Sequence, residues 1–191
     1  MTIYFQKLKE ELEKIGIKIE EIYDLVNSPK SYPEAIPILV RFLSKNFIDD
    51  RFKEGIIRAL AVKEAKGKCG KVLIKEFNKT PKEKSLLRWA IGNTMEVVIS
   101  KNDIDDVIKI IKDKTNGISR QMFIKALGKI KTDKTENILI DLLDDEEVAI
   151  FAVEALGKMK SQKAKNKINE LLNSKNKLVK KEAEKALKRI E

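Results

Sequence analysis

Apolar residues return along this chain at the three- and four-residue spacing of a helix face. Ile36, Leu39, Val40 and Leu43 sit at i, i+3, i+4 and i+7. The same pattern recurs at Val72-Leu73-Ile74 with Phe77, at Val107-Ile108 with Ile110-Ile111, at Ile138-Leu139-Ile140 with Leu142-Leu143, and at Ile168 with Leu171-Leu172. Each segment is followed by a second apolar helix that closes on a small-apolar-Gly block. The block is clearest at Lys125-Ala126-Leu127-Gly128-Lys129 and Glu154-Ala155-Leu156-Gly157-Lys158, and weaker at Arg58-Ala59-Leu60-Ala61, Trp89-Ala90-Ile91-Gly92 and Lys185-Ala186-Leu187-Lys188.

Aligning the blocks puts anchors at Ala61, Gly92, Gly128, Gly157 and Lys188, separated by 31, 36, 29 and 31 residues. Each interval holds two helices of ordinary length plus two turns. The long third interval predicts a longer loop at Lys114-Thr115-Asn116-Gly117. Such a helix pair cannot bury its own apolar face and stacks on its neighbours. The expected fold is therefore all-α: a right-handed α-α superhelix, or solenoid, of about five helix pairs over residues 32–191. A helical cap over residues 1–30 precedes it, the whole forming a single domain 1–191.

In each pair an outer helix A leads to an inner helix B. Helix A of the first pair is expected to start at Pro33, since proline suits a first helical turn. In helix B, the residue five before the anchor (Ile56, Leu87, Phe123, Ala152, Ala183) and the residue one before it (Leu60, Ile91, Leu127, Leu156, Leu187) share a face and predict the core stripe. The anchor glycines permit close packing or a left-handed cap. Turns between A and B carry Asn46 and Asp49-Asp50, Asn78 to Thr80-Pro81, Asn116-Gly117, Asp144-Asp145 and Asn173-Ser174, all expected to cap the following helix. In the first residues Phe5, Leu8, Leu12 and Ile15 are helically spaced up to Gly16. Ile19, Ile22, Tyr23 and Val26 resume the pattern, as a bent helix or two short ones covering the end of the array.

Composition sharpens the picture by exclusion. Only four prolines and eight glycines interrupt 191 residues, so long helices are easy to place. His is absent and Cys69 is the one cysteine, which excludes an intramolecular disulfide and a cysteine-rich metal site. Neither Asp103-Ile104-Asp105-Asp106 nor Asp144-Asp145-Glu146-Glu147 has the alternating ligands and Gly turn of a calcium loop; both read as helix starts. No metal and no cofactor are expected. The beginning lacks a secretory h-region and no apolar run is long enough for a membrane span, so a cytoplasmic protein is expected. Cys69 lies beside Lys68 and Lys71, which would lower its pKa if it were exposed.

The net charge of +10 is uneven. Residues 1–30 carry five Lys/Arg against six Asp/Glu, 31–100 carry 14 against 8, 101–157 carry 9 against 12, and 158–191 carry 12 against 4. Clustered lysines suit nucleic acid or an acidic partner. Yet only six of the 40 basic residues are Arg, the type that forks a phosphate, so the excess also reads as a solvating surface.

The stretch Leu142-Leu143-Asp144-Asp145-Glu146-Glu147-Val148-Ala149, continued by Ala152-Val153-Glu154-Ala155-Leu156-Gly157-Lys158, resembles the HEAT-repeat superfamily, in particular short bacterial repeats of the phycobilisome-lyase type. The likeness spans roughly 32–191 and is strongest in the last three pairs. It implies an α-solenoid that binds macromolecules along a concave face of B helices, with no chemistry in the repeat itself. The slot of that pattern's Arg holds Lys53, Lys84, Arg120, Ala149 and Lys180, so no continuous Asp–Arg ladder is expected.

The positions seven and three before each anchor point away from the core stripe and define the candidate face: Glu54/Arg58, Ser85/Trp89, Gln121/Lys125, Ile150/Glu154 and Lys181/Lys185. The position after the anchor adds Asn93. The candidate binding residues are Arg58, Arg88, Trp89, Asn93, Arg120, Gln121 and Lys125, with none catalytic. Arg88-Trp89 has two readings. It is an interaction hot spot, or Trp89 fills a gap while Arg88 is buried and paired, because the position four before the anchor is usually small in such repeats and here holds Ile57, Arg88, Ile124, Val153 and Glu184. No nucleophile–base pair, phosphate loop or metal cluster is present in the sequence. The function expected is a non-enzymatic scaffold for another protein. The alternative is nucleic-acid binding, after bacterial alkylpurine DNA glycosylases, which the chain resembles in architecture and net charge only. A bilin lyase has least support.

Overall fold

The computed structural model describes residues 3–45 and 49–191. Met1, Thr2 and Asn46, the last expected as a cap, lie outside the described residues. Among the described residues there are twelve α-helices and no strand. Contacts divide the chain into two compact units, Met1–Ser100 and Lys101–Glu191.

The first unit holds the terminal helices and two helix pairs. α1 (Ile3–Glu13) turns Phe5, Leu8 and Leu12 inward. The chain then reverses at Gly16, whose φ of 80° lies in the left-handed region open to glycine. α2 (Tyr23–Val26) follows Ile22, and Ile22 lies directly on Gly55: a Cβ at Gly55 would stand 2.4 Å from Ile22 Cγ2. Two short helices thus pack on the first pair, α3 (Ala35–Leu43) and α4 (Asp50–Ala59). α3 begins two residues later than expected, because Pro33 is spent in a turn closed by Ala35 N–H on Tyr32 O at 3.0 Å. Tyr32 is buried, and its hydroxyl donates to Ala59 O at 2.9 Å, joining this turn to the end of α4. The second pair is α5 (Gly70–Lys79) and α6 (Ser85–Val98), and α6 continues six residues past the anchor Gly92.

The second unit holds three pairs: α7 (Ile104–Lys112) with α8 (Gln121–Leu127), α9 (Asp133–Asp141) with α10 (Ala149–Met159), and α11 (Lys165–Glu170) with α12 (Lys177–Ile190). The long third interval is a run of tight turns over Lys114–Arg120, broken at Gly117 with φ 52° and ψ −139°. That conformation requires glycine.

Both residues of the predicted stripe are buried in every pair except the last, where Ala183 is buried and Leu187 half-buried. The glycine anchors of the second unit act through close packing. A Cβ at Gly128 would stand 2.6 Å from Ala155 Cβ, and one at Gly157 would stand 2.7 Å and 2.8 Å from Ala186 Cβ and Cα. Each anchor thus receives the small residue two before the next anchor, which is why the block reads Ala-Leu-Gly. The left-handed cap belongs instead to Lys160, with φ 58° and ψ 46°.

Several expected caps are replaced by other bonds. Asp49 caps α4, accepting from Arg51 and Phe52 N–H at 3.0 and 3.2 Å. Thr80 does not cap α6; its hydroxyl donates back to Glu76 O at 2.7 Å. Asn116 donates to Ile110 O at 3.0 Å. The cap of α12 is Asn176 rather than Asn173 or Ser174, because only Asn176 is one residue outside the helix, where its oxygen meets Leu178 and Val179 N–H. Asp145 accepts from Glu147 N–H at 3.3 Å, but its other oxygen is taken by Arg120.

Candidate functional site

In the first unit α4 and α6 pack side by side, and Thr94 ties them through a hydroxyl donated to Ile57 O at 2.9 Å. α6 turns Leu87, Ala90, Ile91, Met95 and Val98 into the core. Its opposite side carries Leu86 (76% exposed), Trp89 (49%) and Val97 (37%), with half-buried Asn93 between. Their spacing of three, four and four residues makes one stripe along the helix. From α4, Arg58 reaches the edge of this stripe. Its guanidinium carbon lies 6.0 Å from the centroid of the Trp89 ring, within reach of a cation–π contact. Glu54, one turn back, accepts from Arg58 Nε at 2.8 Å and lies 2.7 Å from Nη2, holding the guanidinium in place.

Arg88 does not belong to this surface. It is 3% exposed, donates from Nη1 to Phe77 O at 3.2 Å and Thr80 O at 2.9 Å, and its guanidinium carbon lies 3.8 Å from the Phe77 ring centroid. The expectation that it lines the binding face is corrected. Arg88 turns instead toward α5 and satisfies the carbonyls at its end.

The expectation for Arg120 is likewise corrected. It is 1% exposed and donates to Gly117 O at 3.1 Å, Ile111 O at 3.3 Å, Asp145 Oδ2 at 2.8 Å and Glu147. It joins pair three to the turn of pair four. In the first unit Lys53, in the equivalent slot, reaches Glu76 at 3.1 Å. Lys84, in the same slot of the second pair, reaches Asp50 at 2.6 Å, so the slot's cations are paired in both units although no Asp–Arg ladder runs through them.

Gln121 and Lys125 are half-buried on α8, in the second unit. Lys125 stands 3.8 Å from Glu154, which also accepts from Lys158 at 2.6 Å. Burial pushes the Glu154 carboxyl up, and the Lys158 hydrogen bond with the Lys125, Lys158 and Arg189 charges more than offsets it, leaving the pKa below its ordinary value. Lys125 is thus already engaged in a charge cluster centred on Glu154. Of the candidate residues, Arg58, Trp89 and Asn93 come together; Gln121 and Lys125 lie in the other unit.

Leu86 and Val97 escaped the sequence reading. The signal was available for Leu86, a large apolar residue one position beyond the stripe. Val97 could be found only by knowing that α6 continues past its anchor. Cys69 is 1% exposed and donates to Ala65 O at 3.5 Å, which removes the exposure that a reactive thiol needs. Among the described residues no group of three or more Cys, Asp or Glu side chains could hold a metal ion, and no helix is long and apolar enough to cross a membrane.

Repeated helix pairs with a shared core stripe and glycine-to-alanine packing define an α-α repeat protein. Residues 104–188, the three pairs of the second unit, match the family model described as HEAT repeats. No curated protein and no solved structure matches the chain.

Proposed function

We propose that the protein is a non-enzymatic HEAT-repeat scaffold that binds another protein through the α4–α6 face of its first unit. The observation that carries this reading is the apolar stripe Leu86, Trp89 and Val97, left exposed on a well-packed helix with Arg58 held beside the indole. Exposed Trp and Arg at a rigid surface are the residue types that dominate interface energetics. Covering roughly 100 Å² of the indole would contribute about 2–3 kcal/mol. A stripe of three apolar residues spaced along one helix suits the apolar side of a partner helix.

The test places a photo-cross-linking amino acid at Leu86 and irradiates cells of the source organism. The reading expects one dominant adduct that disappears when Trp89→Ala is added to a still-folded protein. The same adduct from a cross-linker at Lys75, or one insensitive to Trp89→Ala, would contradict it.

A further inference from the structure

Between residues 66 and 82 the chain places six lysines, Lys66, Lys68, Lys71, Lys75, Lys79 and Lys82, against a single acid, Glu76. That acid is 3% exposed and bridged to Lys53 at 3.1 Å and, of the six, to Lys79 at 3.7 Å. All six lysines are exposed. On α5 the core side is Gly70, Leu73, Ile74 and Phe77, so Lys71, Lys75 and Lys79 run along the opposite side. Successive charges there are about 6 Å apart at the rise of an α-helix, so Lys71 to Lys79 span about 12 Å, with Lys68 and Lys82 in the turns at either end.

This arrangement works against the helix that carries it. Lys68 and Lys71 crowd the positive end of α5, whose first turn has no acid and whose Cys69 makes no side-chain cap. Lys71–Lys75 and Lys75–Lys79 are like-charge pairs one turn apart. The equivalent helices of pairs three and four open with acids, Asp105 and Asp106 on α7 and Asp133 and Glu136 on α9, while α11 of pair five has none, like α5, but carries no comparable file of lysines one turn apart along its length. A local rule broken without a folding gain marks a surface kept for another purpose.

We propose that the lysine ridge of α5 binds double-stranded nucleic acid through its phosphates, without reading sequence. A linear file of exposed, mostly uncompensated charges complements a polyanion whose charges are themselves in file. Lysine acts there as a point charge. A membrane surface fits less well, because none of the exposed large apolar residues lies between 66 and 82 and stable membrane attachment draws on apolar insertion as well as charge. The ridge uses none of the side chains of the Trp89 face, so Trp89→Ala leaves this binding intact and the two readings fail separately.

The experiment measures binding of a random-sequence DNA duplex of about two helical turns between roughly 50 and 200 mM salt. The intact protein is expected to bind with affinity falling about as the fourth to fifth power of salt, at ~0.9 per phosphate met. Lys68→Gln/Lys71→Gln/Lys75→Gln is expected to lower that exponent by about 2.7, while its thermal midpoint stays level or rises. Lys177→Gln/Lys180→Gln/Lys181→Gln, on α12, is expected to leave the exponent unchanged. The proposal is overturned if no binding appears at the lowest salt or if the α5 triple keeps the exponent. It is equally overturned if the α12 triple loses as much, or if phosphatidylserine vesicles are bound and the duplex is not.

Discussion

Arg120 Nη1 donates to Asp145 Oδ2 at 2.8 Å across 25 residues of sequence, and with 1% of Arg120 exposed this bond joins the third helix pair to the fourth. The Arg120 hydrogen bond, opposed by desolvation and helped by the Arg120 and Lys114 charges, holds the Asp145 carboxyl below its ordinary pKa. Removing the cation leaves Asp145 and two backbone carbonyls short of a donor. Arg120→Ala should therefore destabilise by about 3 kcal/mol in denaturant unfolding, in the range for breaking a buried pair. Because the folded pKa is depressed, the Asp145 contribution is present above the unfolded value of about 3.9 and is lost as pH falls through the folded one. Unfolding measured from neutral pH downward should show this loss, and Asp145→Asn should flatten it.

Gly157 meets backbone, since a Cβ there would stand 2.8 Å from Ala186 Cα. Alanine favours a helix over glycine by about 1 kcal/mol, yet Gly157→Ala should destabilise by about 1–3 kcal/mol because α10 must move off α12. Equilibrium unfolding gives the sign directly. A gain in stability would mean that the anchor is not a packing device.

Lys160 ends α10 in the left-handed conformation, and the next amide, Ser161 N–H, returns to Leu156 O at 3.1 Å. A side chain pays about 1 kcal/mol there that glycine avoids. Lys160→Gly should raise stability by about that amount, read as a higher denaturation midpoint with an unchanged slope.

The neighbours Arg88 and Trp89 should behave unequally. Arg88→Ala strips the donors from Phe77 O and Thr80 O and empties the space over the Phe77 ring, destabilising by about 2–3 kcal/mol. Trp89→Ala removes a ring that is half exposed and makes no buried hydrogen bond, and should cost less, about 1 kcal/mol. Thermal unfolding of the two single variants separates them.

These neighbours also show what the sequence could and could not reveal. Ile56, Leu60, Phe123 and Leu127 were legible as core because a 3.6-residue period is a property of the chain itself. Arg88 was ambiguous, since a charged residue in an apolar column is explained only by the carbonyls it meets at the end of α5, and that meeting is tertiary. Arg120 was misplaced on the surface for the same reason: its carboxylate partners lie 25 and 27 residues ahead. Asp145 was legible as a polar turn residue but not as a rung, because an Asx turn and an ion pair ask for the same side chain. Trp89 was legible as unusual, and its exposed companion Val97 was not, because nothing in the Gly92 block signals that α6 continues.

Trp89 is the one tryptophan of the chain, so it reports on the proposed face without interference. Incorporating fluorotryptophan and recording fluorine NMR while adding the partner recovered by cross-linking tests the central claim most directly. The account predicts a single resonance near its solvent-exposed position in the free protein, which shifts on addition and loses its response to the solvent isotope. A resonance that stays unmoved and solvent-responsive in a complex shown to be saturated would contradict it.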